Sequence, residues 1–432
     1  MDPDQSDNQN ELYHQLAIAS AVSAAALATV AVYSSRGKLT LNDSMKHQLA
    51  IVTGASSGVG YACAKGLAAR NATVVMACRD LVRGRAAAEE IKRLTKNENI
   101  SVEYVDVADL SSVAQFATKI DRCHVLINNA GAMIAEQQYV TACELTTVTN
   151  HIGPFYLTTL LAEKLHRTAR EDHCVTRVSN VGSRLEKNAT PNKSPHLVHT
   201  ANVDWMKAGP QPYNMWESYA NSKLCNLVST YFMADELNAR YASATAAPSV
   251  TANANTRTKA DQGQGQGQVS GRLVTMAVTP GVVNTNLNRF LPWWQRTLLS
   301  PLMAAVLRTP DQGAAPLIAL AAADDRTALA CHGGFFGSAP AGSSGGKKVQ
   351  VQLAGSNEGE KIQALGVQLV SPVSAAALSK DLQRAVWQQS EALVAEILSS
   401  SVRGDSNSTN HSATVAAAST AAIAEKRQSN VP

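Results

Sequence analysis

Short apolar runs alternate with amphipathic stretches along most of the chain after Lys46. The apolar runs predict strands at Leu49–Thr53, Thr73–Ala77, Val102–Val105, Val125–Asn128, Val175–Asn180, Leu273–Val278 and Gly334–Phe336. Between them, apolar residues recur at helical spacing in Tyr61–Arg70, Arg83–Leu94, Ser111–Ile120 and Thr146–Arg167. Strands that alternate with helices predict an α/β fold with a doubly wound parallel sheet, in a single domain over residues 46–398.

Three segments lack this alternation. Residues 242–270 and 338–360 are low-complexity stretches rich in small and polar residues, which cannot bury a core face and therefore predict insertions. Residues 399–432 are rich in serine, asparagine and alanine, and this composition predicts a disordered tail.

The N-terminal segment, residues 1–45, contains an uncharged run at residues 15–35 that is about long enough to span a bilayer as a helix. Acidic residues precede the run, and Arg36, Lys38 and Lys46 follow it, which favours a signal anchor that keeps the rest of the chain in the cytosol. We therefore expect attachment to the endoplasmic reticulum or another organelle membrane. The alternative is an organelle-targeting or surface helix, in which case the protein would be located in a plastid or be soluble in the cytoplasm.

The charge distribution gives no sign of nucleic-acid binding, because the net charge is only +4 and lysine and arginine are scattered. The cysteines are seven, an odd number, and form no Cys-x-x-Cys pair, which indicates reduced, buried side chains. His196 and His199 have no obvious third ligand, so we expect no metal site.

A glycine-rich turn, Thr53–Gly60, lies between the first predicted strand and the first helix. Glycines there allow backbone to approach a pyrophosphate, and the helix start offers free N–H donors, although a plain glycine turn is the alternative. The context favours a dinucleotide-binding Rossmann fold, with candidate cofactor-binding residues Gly54, Ser56, Ser57, Gly58, Val59 and Gly60.

Arg79 follows the second strand, where dinucleotide-binding folds often place an acid that holds the adenosine ribose. A guanidinium in place of a carboxylate pairs with a 2′-phosphate and favours NADP(H) over NAD(H). The alternative is a solvated surface arginine that Asp80 screens.

Further polar or small residues follow later strands. Asn129, Ala130 and Gly131 let a ligand lie against the backbone, and Ser183 places a hydroxyl at the same sheet edge. Tyr219 and Lys223 are four residues apart in a predicted helix and therefore share one face. A nearby ammonium lowers the pKa of a phenol from about 10, so this pair is a candidate acid and base.

These motifs occur in the order typical of the short-chain dehydrogenase/reductase family, which the chain resembles from about Lys46 to Gly337. They are TGxxxGxG from Thr53, NNAG from Asn128, Asn150 in a helix, Ser183 at a strand end, Tyr219-x-x-x-Lys223 and the PGVVNT segment from Pro280. ACRD at 77–80, NHIGPFYLT at 150–158, SKLCN at 222–226 and PGVVNTNL at 280–287 resemble its retinol dehydrogenase-like branch.

The resemblance implies a role for each matching residue. Tyr219 would exchange a proton with the substrate oxygen, and Lys223 would lower the tyrosine pKa and bind the nicotinamide ribose. Ser183 would hold the substrate oxygen, with Ser179 as the alternative if the strand ends earlier, and Asn150 would hold a water that links Lys223 to solvent. Asp106 would contact adenine, and the residues beside the nicotinamide would be Pro280, Gly281, Val283 and Thr285.

The stretch between Asn286 and Arg308 is rich in large apolar residues, including Trp293 and Trp294. It suits a lid over a lipophilic substrate, a membrane-surface contact or a core helix. The sequence thus predicts an NADP(H)-dependent oxidoreductase that interconverts a carbonyl and an alcohol on a retinoid-, steroid- or lipid-like substrate. An NADP(H)-binding regulatory or scaffold protein with little turnover is the alternative, and assembly into a homo-oligomer stays open.

Overall fold

The computed structural model describes residues 44–245, 271–283, 307–338, 367–370 and 374–404. The candidate anchor at residues 15–35, most of both insertions and nearly all of the apolar stretch after Asn286 lie outside these ranges. Within them, no helix combines the length and the apolar character that a membrane span requires.

An eight-stranded sheet forms the centre of the described structure. Its strand order is β10-β9-β8-β7-β4-β1-β2-β3, and the seven strands from β9 to β3 are parallel, while β10 is antiparallel to β9. A separate hairpin pairs β5 with β6. The strands are β1 (Leu49–Thr53), β2 (Thr73–Cys78), β3 (Ile100–Tyr104), β4 (Val125–Asn128), β5 (Tyr139–Val140), β6 (Cys143–Glu144), β7 (Val175–Val181), β8 (Arg272–Thr279), β9 (Phe335–Ser338) and β10 (Val367–Leu369).

Helices cover both faces of the sheet. Between α4 and α5 the chain forms a π-helical turn, Val148–Ile152, and a 3₁₀ turn, Arg184–Asn188, follows β7. The α-helices are α1 (Gly58–Ala68), α2 (Leu81–Thr95), α3 (Leu110–Thr118), α4 (Leu145–Thr147), α5 (Gly153–Glu171), α6 (Thr190–Lys193), α7 (Pro195–His199), α8 (Trp205–Ala208), α9 (Met215–Thr245), α10 (Pro310–Ala321), α11 (Asp325–Ala330), α12 (Ala375–Leu378) and α13 (Lys380–Gly404).

The core consists of layers on the two faces of the sheet. Side chains from α1 and α10 pack on one face, and side chains from α3 and α5 pack on the other. Strand β4 is buried along its whole length, and its sequence is accordingly an apolar run that ends in Asn128. Strand β7 is equally buried but carries polar side chains, several of which form hydrogen bonds. The predicted α/β doubly wound class is therefore confirmed.

The element boundaries differ from the predicted ones by a few residues. The short strands β5, β6 and β10 were not predicted, because two or three residues carry no measurable periodicity. Helix α9 continues to Thr245, and α13 continues to Gly404, beyond the predicted tail start at Ser399. A helix whose apolar face packs on the core can extend through residues that favour disorder in isolation.

A buried ion pair joins the start of β7 to α11. The Arg177 side chain is 2% exposed, and its Nη2 atom lies 3.0 Å from Asp325 Oδ1. The guanidinium also donates to the carbonyl oxygens of Val175 and Ala323 at 2.8 and 2.6 Å, and Asp325 Oδ2 accepts from Val175 N at 3.0 Å. Burial of this charge is tolerated because several acceptors surround it.

We predict that Asp325→Ala lowers the free energy of unfolding by about 3 kcal/mol, because the buried Arg177 charge loses its counter-ion. Denaturant titration followed by circular dichroism measures the loss. The matched control is Asp311→Ala, which removes a more exposed pair with Lys65 and should cost under about 1 kcal/mol. Equal losses in the two variants would contradict a special role for the buried pair.

Candidate active site

The glycine-rich turn between β1 and α1 is tightly packed. Gly54 and Gly58 have φ angles of 65° and 59°, in the left-handed region that favours glycine. A Cβ atom on Gly60 would lie 2.4 Å from the carbonyl oxygen of Gly54 and 2.4 Å from Asn129 Nδ2. The absence of side chains at these positions therefore lets the turn approach the loop after β4.

The start of α1 is suited to an anion. Ser57 is the N-cap residue and is exposed, but its side chain makes no capping hydrogen bond. The first N–H groups of the helix thus lack the side-chain acceptor that usually satisfies them. Together with the close-packed glycines, this turn fits the pyrophosphate of a dinucleotide, with Ser56 and Val59 beside it.

Thr53 joins this turn to the loop after β4. Its hydroxyl accepts hydrogen bonds from the backbone N–H groups of Asn129 and Ala130 at 3.0 and 2.9 Å. In return, Asn129 Nδ2 donates to the Thr53 carbonyl oxygen at 2.9 Å. The glycine motif includes Thr53 but assigns it no role, and the signal for this role is the position of a hydroxyl at a buried strand end.

Arg79 and Asp106 meet at the ends of β2 and β3. Their side chains lie 3.8 Å apart, and 75% of the Arg79 side chain is exposed. Asp80 forms no ion pair with this guanidinium. Its carboxylate instead caps α2 by accepting a hydrogen bond from Arg83 N at 3.0 Å. Arg79 is thus available to an anionic ligand at this edge of the sheet.

Asn150 lies in the π-helical turn and is buried. Its side chain accepts from Ala132 N at 2.7 Å and donates to the Ala132 carbonyl oxygen at 2.8 Å. Nδ2 also donates to Ser222 Oγ at 3.0 Å. A Cβ atom on Gly131 would lie 3.1 Å from Asn150 Oδ1 and 3.7 Å from Lys223 Nζ, so the structure brings these three predicted residues together.

Tyr219 and Lys223 lie on α9, as the spacing predicts. The Lys223 Nζ atom is 5.4 Å from the centre of the Tyr219 ring, and it donates to the Val181 carbonyl oxygen at 2.8 Å. Ser183 follows β7, where its hydroxyl accepts from Leu185 N at 3.2 Å, and it lies near enough to the Tyr219 phenol to affect the pKa of that group. The alternative, Ser179, is fully buried within β7 and lies away from the strand end.

Burial controls the proton affinities of this pair. It raises the pKa of Tyr219 to about 12, and the neighbouring Ser183 hydroxyl only partly opposes this rise. It lowers the pKa of Lys223 to about 8, because a buried ammonium loses its hydration. In this structure the pKa of Tyr219 is raised, because removal of the phenol from water outweighs other influences, and the role of Lys223 toward the tyrosine stays a prediction.

The residues after β8 complete the predicted set. Pro280 and Gly281 follow the strand, with a φ of 77° at Gly281, and Val283 pairs with Arg308. Thr285 lies outside the described residues.

His151 anchors the π-helical turn to the C-terminal helix. Its ring is buried, with Nδ1 3.2 Å from Asn226 Oδ1 on α9 and Nε2 2.8 Å from Ser390 Oγ on α13. Burial lowers the pKa of His151 to about 4, and the nearby charge of Lys223 adds to this effect. The sequence places His151 in the NHIGPFYLT motif but gives it no role, because its partners lie far away along the chain.

The chain is similar to several known proteins. The short chain dehydrogenase family profile matches residues 48–195, a span that ends before Tyr219. Retinol dehydrogenase 11 of Mus musculus is 31% identical over 289 residues, which cover 65% of this chain and 75% of that protein. Human polyprenol dehydrogenase is 29% identical over 272 residues, which cover 62% of this chain and 70% of that protein. A crystal structure of a Mycobacterium paratuberculosis protein is similar, with a TM-score of 0.51 and 26% sequence identity. The match covers 83% of this chain and 97% of that protein.

We predict that the chain loses stability as the pH falls from about 6.5 to about 4, because unfolded His151 binds a proton that the folded state excludes. His151→Gln keeps a neutral polar group and should reduce the loss between pH 7 and pH 4.5 by about 2 kcal/mol, measured by urea titration at both pH values. His196→Gln, at an exposed position, is the control. An unchanged pH dependence in His151→Gln would contradict this assignment.

Proposed function

This chain belongs to the short-chain dehydrogenase/reductase family, and we propose that it is an NADP(H)-dependent member that interconverts a carbonyl and an alcohol on a lipophilic substrate. The observation that carries the proposal is the convergence of Asn150, Ser183, Tyr219 and Lys223 beside the glycine-rich turn. These residues come from three separate segments: the π-helical turn, the end of β7 and helix α9. A structural role alone gives no reason for them to meet at the carboxyl edge of the sheet.

The nicotinamide cofactor, when bound, supplies or accepts the hydride. The α1 start and its glycines would hold the pyrophosphate, and Asp106 would contact adenine. Asn129, Ala130 and Gly131 line the approach to the site. The segment from Pro280 through Gly281, Val283 and Thr285 would lie beside the nicotinamide.

Tyr219 would carry the proton. Its raised pKa keeps the phenol protonated at neutral pH, which suits donation to the oxygen of a carbonyl substrate. Ser183 lies beside Tyr219 and would orient the same substrate oxygen. Lys223 would bind the nicotinamide ribose, and Asn150 would hold a water between Lys223 and solvent.

Arg79 supports the preference for NADP(H). Its guanidinium is exposed at the end of β2, and Asp106 lies at the weak ion-pair distance of 3.8 Å. A 2′-phosphate would provide a stronger, charge-assisted partner for the guanidinium.

A lipophilic substrate is supported by two observations. Mouse retinol dehydrogenase 11 and human polyprenol dehydrogenase, both similar to this chain, are named for lipophilic alcohols. The stretch from Asn286 to Arg308 is rich in large apolar residues that would suit a lid over such a substrate. We further propose that residues 15–35 anchor the protein in a membrane, which would give access to substrates dissolved in the bilayer.

We predict that Tyr219→Phe lowers kcat by at least about 100-fold and changes NADPH binding by less than about threefold, since it removes the proton donor and little else. The assay follows NADPH oxidation by the full chain with retinal, steroid and fatty-aldehyde panels, and fluorescence titration gives the Kd. Tyr231→Phe, on the same helix about three turns later, is the control and should keep wild-type rates.

Unchanged turnover in Tyr219→Phe would refute the assigned mechanism. Binding of NADPH without turnover by the wild-type chain, over the whole panel, would favour a cofactor-binding scaffold instead.

We predict that Arg79→Ala raises the Kd for NADPH about 10- to 100-fold and leaves the Kd for NADH within about threefold, because only NADPH carries the 2′-phosphate. Isothermal titration with both cofactors measures the effect. Arg83→Ala removes an exposed guanidinium from neighbouring α2 and is the matched control. Equal changes for the two cofactors would count against this role of Arg79.

A further inference from the structure

Glu144 is a fully buried carboxylate between β6 and α4. Its Oε2 atom accepts two hydrogen bonds, from Thr147 N at 3.0 Å and from Ser218 Oγ at 2.8 Å. A carboxylate out of water is costly unless such donors satisfy it, so both contacts hold this group strongly in place.

The two donors belong to the two helical stretches that carry the proposed proton chemistry. Thr147 lies in the first turn of the stretch that contains Asn150, and Ser218 directly precedes Tyr219. One carboxylate oxygen therefore joins the start of one helical stretch to the start of the other.

The surroundings of Glu144 leave it little freedom. The Tyr213 hydroxyl donates to the Ile134 carbonyl oxygen at 2.7 Å and lies 3.5 Å from Glu144 Oε1. A Cβ atom on Gly209 would lie 3.2 Å from Glu144 Cγ, which places the backbone of that loop directly against the side chain. The carboxylate is thus enclosed by the loops that precede β5 and α9.

A second connection between the same stretches lies one helical turn later. Asn150 Nδ2 donates to Ser222 Oγ at 3.0 Å, and Ser222 Oγ donates to the Tyr219 carbonyl oxygen at 2.7 Å. The connections at Ser218 and Ser222 lie on either side of Tyr219. Together they oppose both sliding and rotation of this part of α9 relative to Asn150.

We propose that Glu144 is a positioning residue that fixes Tyr219 relative to Asn150, an inference that rests on the proposed function. Loss of its carboxylate would leave the connection through Ser222 and would allow the N-terminal turn of α9 to shift. Because a misplacement of about 1 Å can cost about 100-fold in rate, this contact would affect turnover more than binding.

The experiment compares four variants of the full chain. Glu144→Ala removes both hydrogen bonds, and Glu144→Gln keeps an oxygen that can accept both. Ser218→Ala breaks only the contact to α9 and leaves the cap of α4 in place. This variant can therefore still test the proposal if Glu144→Ala folds poorly. The control is Asp324→Ala, which removes an exposed N-cap from α11 at the opposite, amino edge of the sheet.

Two measurements decide the outcome. We expect Glu144→Ala and Ser218→Ala to lower kcat about 10- to 100-fold with the NADPH Kd within about threefold, and Glu144→Gln to recover to within about threefold of the wild type. In protein labelled with [¹³Cζ]tyrosine, the Tyr219 resonance, assigned through Tyr219→Phe, should move in both Ala variants and stay in place in Glu144→Gln and Asp324→Ala.

Unchanged kcat and an unmoved Tyr219 resonance in both Ala variants would overturn the positioning role and leave Glu144 as a cap alone. The same conclusion would follow if Glu144→Gln behaved like Glu144→Ala. A wild-type chain without turnover would refute the proposed function, and the Tyr219 resonance would still test whether Glu144 positions that side chain.

Discussion

The site depends on hydrogen bonds that the polar side chains of α9 make on either side of Tyr219. Ser218 donates to the carboxylate of Glu144, Ser222 accepts from Asn150, and Asn221 Oδ1 accepts from Thr190 N at 2.7 Å. Glu144 and Asn150 belong to one continuous stretch, and Thr190 lies on another. A single helix therefore sets the relative positions of two other parts of the chain, and Tyr219 is at the centre of these contacts.

A second set of buried polar contacts supports the site from below. Asn128 Nδ2 donates to Asn180 Oδ1 at 2.8 Å, and Asn180 Nδ2 donates to Thr230 Oγ1 at 3.0 Å. These bonds connect β4, β7 and α9 beneath the candidate active site. Buried polar groups of this kind stabilise one arrangement only when their partners are in place, because an unsatisfied group costs free energy. The same contacts that rigidify the fold thus define the site.

Burial also determines the proton chemistry that the site can perform. The pKa of Tyr219 is raised and that of Lys223 is lowered, and in both cases burial disfavours the charged form. Near neutral pH the tyrosine is a protonated donor. A bound ligand that changes the solvation of the pair would change both proton affinities, so cofactor binding and proton transfer are physically linked.

The sequence by itself determined the order of the seven parallel strands along the chain, the doubly wound class and the segments that carry Asn150, Ser183, Tyr219 and Lys223. Those features are local, since apolar periodicity, glycine turns and an i, i+4 spacing are encoded within a few residues. Only the tertiary structure decided in favour of Ser183 over Ser179, because that choice depends on where β7 ends. It also placed the buried Glu144 carboxylate against Ser218 and raised the pKa of Tyr219, because side-chain pairing and burial depend on contacts between segments far apart in the chain.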